Sequence, residues 1–329
     1  PYSPTEPAGL DLADVRGQPL ARRALEVAAA GGHDLLLLGP PGGGKTLLAR
    51  RLPTLLPPLA FAEAVEVTTI HSVAGLVDPA IGVVASRPFR APHHTVTAAG
   101  LVGGGDVPRP GELSLAHHGV LFLDELAEFR REALEALRGP LEDGVVTVAR
   151  VRATARFPAR PLLVAATNLC PCGLLGHPTR VCRCSEVARR VYLSRLSGPL
   201  LDRIDLHVRV PPVELSALVG GSPGEASAPV QTRVARARFR QEARRRAGEV
   251  SAPLNARLTP RELDRVAPLD PESRALLSAA AERLGLSARA FTKIRRVART
   301  LADLGDRDEV TAAEVAEAIQ GRVLDGGRA

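Results

Sequence analysis

The sequence predicts an α/β fold, in which a three-layer αβα domain with a parallel central sheet is followed by a small all-helical domain. Short apolar runs alternate with helical or irregular segments up to Pro211, which is typical of a parallel sheet covered by helices. Beyond that point apolar residues recur at helical spacing. The 329 residues are enough for one large and one small domain.

Five short apolar runs predict the strands of the sheet. They lie at 34–38, 64–69, 119–123, 162–167 and 205–210. A helix at 19–29 precedes the first strand. Residues 145–148 and 153–157 predict the arms of a β-hairpin with Arg150 and Arg152 near its tip, from which both side chains can reach outward.

The second half of the chain predicts a loop and then helices. Residues 219–229 are rich in Gly, Ser and Pro and predict a flexible loop. Helices are predicted at 259–266, 271–284, 288–304 and 311–320, with Thr259 and Thr311 as N-caps. The expected divisions are a tail (1–9), the α/β domain (10–212), a linker with an arginine-rich helix (213–255) and the helical domain (256–329).

Composition indicates a globular protein outside the membrane. Hydrophobic residues make up 45% and charged residues 24%, and no apolar run approaches the length of a membrane span. The first residues lack the features of a signal peptide, so we expect a cytoplasmic protein. The chain has no Met and begins with Pro1, which indicates a fragment or processed product that lacks an N-terminal domain.

The net charge of +7 would suggest an anionic partner, but it reflects a strong preference for arginine. Only two of the 43 basic residues are lysines, Lys45 and Lys293. Where arginine is the habitual cation, a compact ammonium at Lys45 is well explained by phosphate binding.

A phosphate-binding motif, G-x-x-x-x-G-K-[ST], stands between a predicted strand and the helix that begins near Thr46. Its residues are Gly39, Pro40, Pro41, Gly42, Gly43, Gly44, Lys45 and Thr46, with Leu47 following. Backbone N–H groups and the helix N-terminus suit phosphate oxygens, Lys45 suits the terminal phosphates, and Thr46 offers a ligand to Mg²⁺. The alternative, a chance glycine-rich turn, is disfavoured by the flanking strand and helix.

Two further predicted strands end in polar residues. Asp124 and Glu125 follow an apolar run, and this pattern delivers acids to the carboxyl edge of a sheet. We expect Asp124 to hold Mg²⁺ through water and Glu125 to polarise the water that attacks ATP. Asn168 ends the strand at 162–167 and could position that water. Taken alone, the acids could instead cap a helix and Asn168 could be a turn residue.

In this order the motifs resemble those of AAA+ ATPases, with Asn168 as the first sensor. Three segments narrow the resemblance to the magnesium-chelatase-like ComM/YifB family: Arg87 to Thr95, Pro108 to His117 and Asn168 to Gly173. Similarity extends from Leu10 to Val323. The resemblance implies an AAA+ αβα domain with a helical lid, and a Lon-protease-like domain ahead of this core.

The same resemblance implies two arginines that act on nucleotide. Arg203 matches the arginine finger, which would act on the nucleotide of a neighbouring subunit in a ring. Pairing of Arg203 with Asp202 or Asp205 is the alternative. Arg289 matches the second sensor, which would report nucleotide state from the lid. Its neighbours Arg295, Arg296 and Arg299 are rivals, and without the resemblance this run would be taken as a solvated helix face.

All four cysteines lie in an insertion at 169–186, as two C-x-C pairs separated by nine residues. They are Cys170, Cys172, Cys182 and Cys184. Four thiolates suit a structural Zn²⁺ site, although free or redox-active thiols would give the same sequence. The histidines have no regular ligand spacing, and the pairs His93-His94 and His117-His118 are better explained by loop or core hydrogen bonds.

The resemblance implies an ATP-driven motor, a ring expected to be hexameric, that moves single-stranded or branched DNA and extends joints in recombination or natural transformation. Arg150, Arg152 and the helix 231–246, with seven Arg and one Glu, could contact phosphates. For that helix a solvated face is slightly favoured. A metal-insertion chelatase motor and a nucleotide-switched protein remodeller are the alternatives.

Overall fold

The computed structural model describes residues 9–78, 82–150, 153–177, 179–196, 198–213, 223–322 and 324. Five parallel strands form the central sheet, in the order β2-β5-β8-β1-β9. They are β1 (Leu35–Leu38), β2 (Phe89–Arg90), β5 (Val120–Leu123), β8 (Leu162–Thr167) and β9 (Leu206–Arg209). Two antiparallel hairpins stand apart from it: β3 (Gly103–Gly104) with β4 (Arg109–Pro110), and β6 (Val145–Ala149) with β7 (Thr154–Pro158).

The sheet is the middle layer of a three-layer αβα domain, as predicted. The three central strands β1, β5 and β8 are almost wholly apolar and fully buried because both faces of the sheet are covered. Leu35 and Leu37 of β1 pack into one core, while Leu36 and Leu38 pack into the other. Removing each such leucine from water stabilises the fold by roughly 1.5–3 kcal/mol.

Helices surround the sheet and form the C-terminal region. Those in the first two thirds of the described chain are α1 (Pro19–Gly31), α2 (Lys45–Arg51), α3 (Phe61–Val73), α4 (Ala98–Val102), α5 (Glu112–Leu115), α6 (Arg131–Ala136), α7 (Arg138–Asp143), α8 (Glu186–Ser194) and α9 (Gly198–Leu201). The rest are α10 (Ser227–Arg246), α11 (Pro260–Val266), α12 (Pro271–Leu284), α13 (Ala288–Leu304) and α14 (Ala312–Gln320). Within the described ranges, no helix combines the length and apolarity needed to cross a membrane.

The C-terminal helices share one core with a face of the sheet. Ile294 and Leu301 of α13 belong to the same buried cluster as Leu35 and Leu37. Helix α10 joins the two regions, since Gln241 donates a hydrogen bond of 3.0 Å to the carbonyl of Ala30 in α1. The helical region is therefore packed against the sheet over a broad apolar surface.

The predicted strand at 64–69 is wrong, because these residues lie inside α3. Their β-branched side chains favoured a strand, but the buried positions Ala64, Val67 and Ile70 recur at helical spacing. The Thr68 hydroxyl donates to the carbonyl of Ala64, and Glu63 accepts the free N–H before the helix. The short edge strand β2 takes the place of the predicted one.

The other predicted elements are found with small shifts. The hairpin of β6 and β7 lies where expected, with Arg150 after β6, while Arg152 lies outside the described residues. The predicted loop over 219–229 runs too far, because α10 begins at Ser227. Pro229 is tolerated in its first turn, where the missing N–H has no helical partner.

Candidate nucleotide-binding site

The loop 39–46 connects β1 to α2 at the carboxyl edge of the sheet, as the motif predicts. Gly44 caps α2 with a left-handed backbone (φ 86°), so the first N–H groups of the helix face the loop. Gly39 packs so closely against the end of β9 that a Cβ would lie 2.0 Å from the carbonyl oxygen of Val210. Gln18 donates a hydrogen bond of 3.1 Å to the carbonyl of Gly43. The loop is thus fixed from two sides.

Lys45 is buried at the centre of this loop. Its Nζ donates to the carbonyls of Gly39 (2.7 Å) and Pro40 (2.9 Å) and to Oδ1 of Asn168 (3.2 Å). Burial lowers the pKa of Lys45, whereas the charges of Asp124 and Glu125 oppose that shift. Nζ therefore lies between the loop carbonyls and the end of β8, where phosphate oxygens could compete for its protons.

Asp124 and Thr46 form an oxygen pair suited to Mg²⁺. The Thr46 hydroxyl donates to Oδ2 of Asp124 at 2.7 Å, and Oδ1 accepts the N–H of Glu125 at 2.9 Å. Hydroxyl, carboxylate and phosphate oxygens are the donors that Mg²⁺ prefers, so the residues present fit this ion. The two predicted ligands have been brought together from α2 and from the end of β5.

The Glu125 carboxylate faces the site from a left-handed backbone (φ 53°), uncommon for a residue other than glycine. Its Oε2 lies 3.2 Å from Nδ1 of His94. The His94 ring packs against His93 at a centroid distance of 4.0 Å and edge-on to Phe129 at 6.4 Å. The sequence predicted only a loop or core hydrogen bond for His94, because the two-residue strand β2 that brings it to the carboxyl edge was too short to be predicted.

A cavity of about 350 Å³ joins these groups. It is lined by Pro41, Gly42, Gly44, Lys45, Thr46 and Leu47 from the loop and α2, and by Asp124, Glu125, Thr167 and Asn168 from the strand ends. An ammonium, two carboxylates, a hydroxyl and an amide thus converge on one space at the carboxyl edge, where open α/β sheets bind ligands. This arrangement can hold a nucleoside triphosphate with its metal ion.

Arg203 and Arg289 lie elsewhere, in a larger cavity of about 570 Å³ at the opposite edge of the sheet. Arg203 donates a hydrogen bond to Glu142, not to Asp202 or Asp205. Strand β1 alone separates the edges by roughly 13 Å, at about 3.3 Å per residue. The structure therefore does not bring either arginine to the phosphate loop of the same chain.

The three other arginines considered for the second-sensor role make contacts within the chain. Arg295 pairs with Asp264 at 2.9 Å, and Arg296 donates to the carbonyl of Leu258 at 2.7 Å. Arg299 is fully buried and pairs with Asp303. Arg289 is exposed at the rim of the larger cavity, so it alone of the four is available to a partner there.

A buried ionic network supports the opposite edge. Asp205 pairs with Lys293 at 2.8 Å and with His33 Nδ1 at 3.0 Å. Burial alone would raise the pKa of Asp205, but Lys293 and His33 hold it well below the usual range. Burial and the nearby Asp205 charge raise the pKa of Asp34 to about 6. Lys293, the second lysine of the chain, is therefore a buried structural cation.

The arginine-rich helix is largely paired within the chain. In α10, Arg233 pairs with Glu26 and Glu225, and Arg244 pairs with Asp303. Arg238, Arg240, Arg245 and Arg246 also contact acids or carbonyls of the chain. These contacts favour the structural interpretation of the helix over a nucleic-acid surface.

The four cysteines converge at the side of the nucleotide site. The Sγ atoms of Cys170 and Cys172 lie 3.5 Å apart, and Cys182 lies 3.6 Å from each of them. The sulfur of Cys184 completes the group, and all four sulfurs lie within 4.8 Å of one another. A hydrogen bond from the Leu174 backbone lowers the pKa of Cys172. The group could hold a metal ion.

Two family descriptions match the chain in succession. "Magnesium chelatase, subunit ChlI" matches residues 11–218, and "Magnesium chelatase, subunit ChlI C-terminal" matches 224–322. YifB of Salmonella typhimurium is 45% identical over 326 residues, 98% of this chain and 62% of the relative. The competence protein ComM of Haemophilus influenzae is 45% identical over 318 residues, 96% of this chain and 60% of the relative.

YifB of Escherichia coli is also 45% identical, and the match covers 96% of this chain and 61% of that protein. The chain thus spans about three fifths of the length of these relatives. Both halves of the α/β-plus-helical architecture are matched, and the phosphate loop and acidic strand end lie within the first match. The chain therefore belongs to the magnesium chelatase ChlI family of AAA+ ATPases, in its ComM/YifB group.

Proposed function

We propose that this protein is an Mg²⁺-dependent ATPase that works in the cytoplasm as a ring-shaped motor on DNA. The observation that carries the proposal is the convergence of Lys45, Thr46, Asp124, Glu125 and Asn168 on one cavity, while the arginines lie at the far edge of the sheet. In this proposal the first edge binds and hydrolyses ATP, and the arginines of the second edge act on the nucleotide of another subunit.

The chain's own residues supply most of the hydrolytic chemistry. Lys45 Nζ would exchange its bonds to the Gly39 and Pro40 carbonyls for bonds to phosphate oxygens. Thr46 and Asp124 would hold Mg²⁺, which neutralises charge that develops on the phosphates. Glu125 would orient the attacking water and take its proton, and Asn168 would fix that water from the end of β8.

The position of the arginines supports a ring. A guanidinium that stabilises the transferring phosphoryl group must approach it closely, and Arg203 is on the wrong side of the sheet to do so within one chain. If subunits associate head to tail around a ring, the edge that carries Arg203 in each chain lies against the nucleotide-binding edge of its neighbour. We propose a hexamer, and we assign Arg289 the same trans role.

The DNA partner is supported by the two hairpins more than by α10. Arg150 Nε donates to the carbonyl of Gly105 at 3.0 Å, which ties the hairpin of β6 and β7 to that of β3 and β4. Val107 and Arg109 are exposed on the second hairpin. Contacts from such tips to a phosphate backbone would position DNA without selecting its sequence. The relative ComM is named a competence protein, which is consistent with work on incoming DNA in recombination or natural transformation.

Driving metal insertion is the second candidate function, because the matching family is that of a magnesium chelatase subunit. A chelatase motor would share the whole nucleotide site and would differ in its partner subunits and porphyrin dependence. A protein remodeller would share the site too, but its turnover would not respond to DNA.

The deciding experiment measures ATP turnover against single-stranded, duplex and branched DNA at two salt concentrations, with Glu125→Gln as the blank. Stimulation that weakens at high salt is expected, since phosphate contacts release counterions. The Glu125→Gln protein should bind ATP and lose at least about 100-fold in turnover. An assembled ring whose rate ignores every DNA would contradict the DNA assignment and leave the ATPase assignment intact.

A further inference from the structure

The cysteine cluster has the dimensions of a single tetrahedral metal centre. With metal–sulfur bonds of about 2.3 Å, the sulfurs of a tetrahedral zinc site lie about 3.8 Å apart. The measured separations of 3.5, 3.6 and 3.6 Å among Cys170, Cys172 and Cys182 approach this value. They are far longer than the ~2.05 Å of a disulfide bond. Four sulfurs this close together could hold one ion.

The backbone around the cluster is arranged to hold thiolates. The Leu175 N–H points at Sγ of Cys170 at 3.3 Å, and Gly173 N–H closes a tight turn on the Cys170 carbonyl at 3.0 Å. Such N–H donors stabilise metal-bound sulfur. Cys170 is fully buried, while Cys172 is exposed. One side of the centre is thus anchored in the fold and the other faces solvent.

The turn at Gly173, which follows the first two cysteines, packs against the nucleotide site. A Cβ added at Gly173 would lie 2.9 Å from Cδ of Pro41 in the phosphate loop and 3.7 Å from Nδ2 of Asn168. The same Asn168 accepts a hydrogen bond from Lys45 through its Oδ1. The turn therefore touches the phosphate loop and the sensor residue together.

The other pair of cysteines lies at the start of a helix. Cys184 directly precedes Ser185, whose hydroxyl caps α8 by accepting the Ala188 N–H at 3.2 Å. The chain continues from α8 through α9 to Arg203. A metal ion bound by all four sulfurs would join the end of β8 to the start of the segment that leads to the arginine.

We infer that Cys170, Cys172, Cys182 and Cys184 bind one Zn²⁺, and that this ion positions Pro41 and Asn168 for ATP. All-sulfur tetrahedral donors select zinc or iron, and zinc needs no redox partner. The role in ATP binding rests on the proposed ATPase function, whereas zinc binding itself does not. Loss of the ion would release the Gly173 turn from the phosphate loop and weaken ATP binding.

Metal analysis of the full chain tests the site. We expect about one zinc per chain, its loss in Cys172→Ser, and its retention in Arg183→Ala, which changes an exposed residue between two ligands. Four titratable thiols without metal, or iron with its visible absorbance, would overturn the zinc assignment. Far-ultraviolet circular dichroism of Cys172→Ser would confirm that the αβα core remains folded.

A matched pair of glycine variants tests the coupling. Gly173 and Gly176 both have left-handed backbones, but only Gly173 faces the phosphate loop; nothing lies within 4 Å of a Cβ at Gly176. Gly173→Ala should keep zinc and bind a fluorescent ATP analogue about tenfold more weakly, a change of about 1.4 kcal/mol. Gly176→Ala should keep both properties.

Unchanged ATP affinity in Gly173→Ala and Cys172→Ser would overturn the positioning role even if zinc is present. Failure of the wild-type protein to bind ATP would instead contradict the proposed function, so the two failures are distinguishable. Weakened binding in both glycine variants would mean that backbone strain alone causes the effect, and it would also overturn the coupling.

Discussion

Polar side chains line a cavity at both edges of the central sheet, but only the opposite edge also contains a buried network of ion pairs. Lys45, Thr46 and Asp124 all point toward space that a ligand can fill. On the other side Lys293 and Asp205 form a buried pair, and Arg203 is held by Glu142. The first edge offers phosphate-binding groups to a small molecule, while the second edge is stabilised by ion pairs and, in the proposed ring, would contact a neighbouring subunit.

The difference explains why one chain is an incomplete catalyst under the proposed mechanism. Everything needed to bind ATP and activate water converges within residues 41–168. The cations that would stabilise the transition state, Arg203 and Arg289, are separated from that site by the sheet. Hydrolysis would then depend on assembly, and substitutions at the two edges should have different effects.

The largest expected effect is that of Arg203→Ala. Removal of an arginine finger lowers phosphoryl transfer by about 10³-fold or more, because charge on the phosphoryl oxygens is left unpaired. Nucleotide affinity should be nearly unchanged, since Arg203 does not line the phosphate cavity of its own chain. Steady-state turnover and equilibrium binding of an ATP analogue measure the two quantities.

Mixed rings provide the control for that prediction. Arg203→Ala subunits retain Glu125, and Glu125→Gln subunits retain the arginine, so a mixture should recover activity that neither variant has alone. If mixing restores nothing in rings shown to contain both subunits, Arg203 does not act in trans. Full activity of Arg203→Ala alone would remove its catalytic role.

Lys293→Met should destabilise the fold, because it leaves the buried Asp205 carboxylate without its nearest cation. Breaking a buried pair in this way costs about 3–5 kcal/mol. Denaturant unfolding measures the change, and Arg289→Ala is the matched control because Arg289 is exposed on the same helix. Equal stability of the two variants would show that the ionic network does not support this edge.

Asp34→Asn should remove a dependence of stability on pH. The pKa of Asp34 is about 6 in the fold and about 3.9 in an unfolded chain, so the unfolded state loses its proton first. Wild-type stability therefore falls as pH rises from about 4 to 6, by about 2 kcal/mol relative to Asp34→Asn. The amide still offers Oδ1 to the Leu163 N–H.

Unfolding at pH 4, 5, 6 and 7 measures this difference. A constant gap between wild type and Asp34→Asn across the series would mean that the carboxyl has an ordinary pKa at this edge. A gap that opens in the reverse direction would mean that Arg257 and Lys293, which lower this pKa, outweigh burial and the Asp205 charge.

The sequence predicted the carboxyl edge well because its signals are local. The motif at 39–46 and the acids at 124–125 each lie within a few residues of the strand that positions them. The opposite edge depends on contacts between distant segments, such as Glu142 with Arg203 and Asp205 with Lys293. No spacing rule connects those pairs, so the alternative considered for Arg203, pairing with Asp202 or Asp205, did not include Glu142.

The two lysines illustrate the same limit. Each stands out in an arginine-rich chain, yet Lys45 lies in the phosphate loop and Lys293 neutralises a buried aspartate. Composition shows that a compact ammonium was kept, but only the fold shows what it contacts. The misassigned segment 64–69 has a similar cause, since tertiary burial along α3 outweighed β-branched propensity.

The smallest expected effect is that of Glu142→Gln, which tests whether the Arg203 pair restrains the arginine. Glu142 is exposed, so loss of the pair should change unfolding free energy by less than about 1 kcal/mol. If Arg203 must leave Glu142 before the ring is active, turnover of Glu142→Gln should exceed that of the wild type. The increase should be no more than about fivefold, because about 1 kcal/mol in a barrier corresponds to about a fivefold change in rate. Asp143→Asn, at the adjacent exposed position, is the control. A loss of turnover as large as that of Arg203→Ala would instead mean that Glu142 holds the arginine in its working position, and the opposite edge would then be preorganised for its partner before assembly.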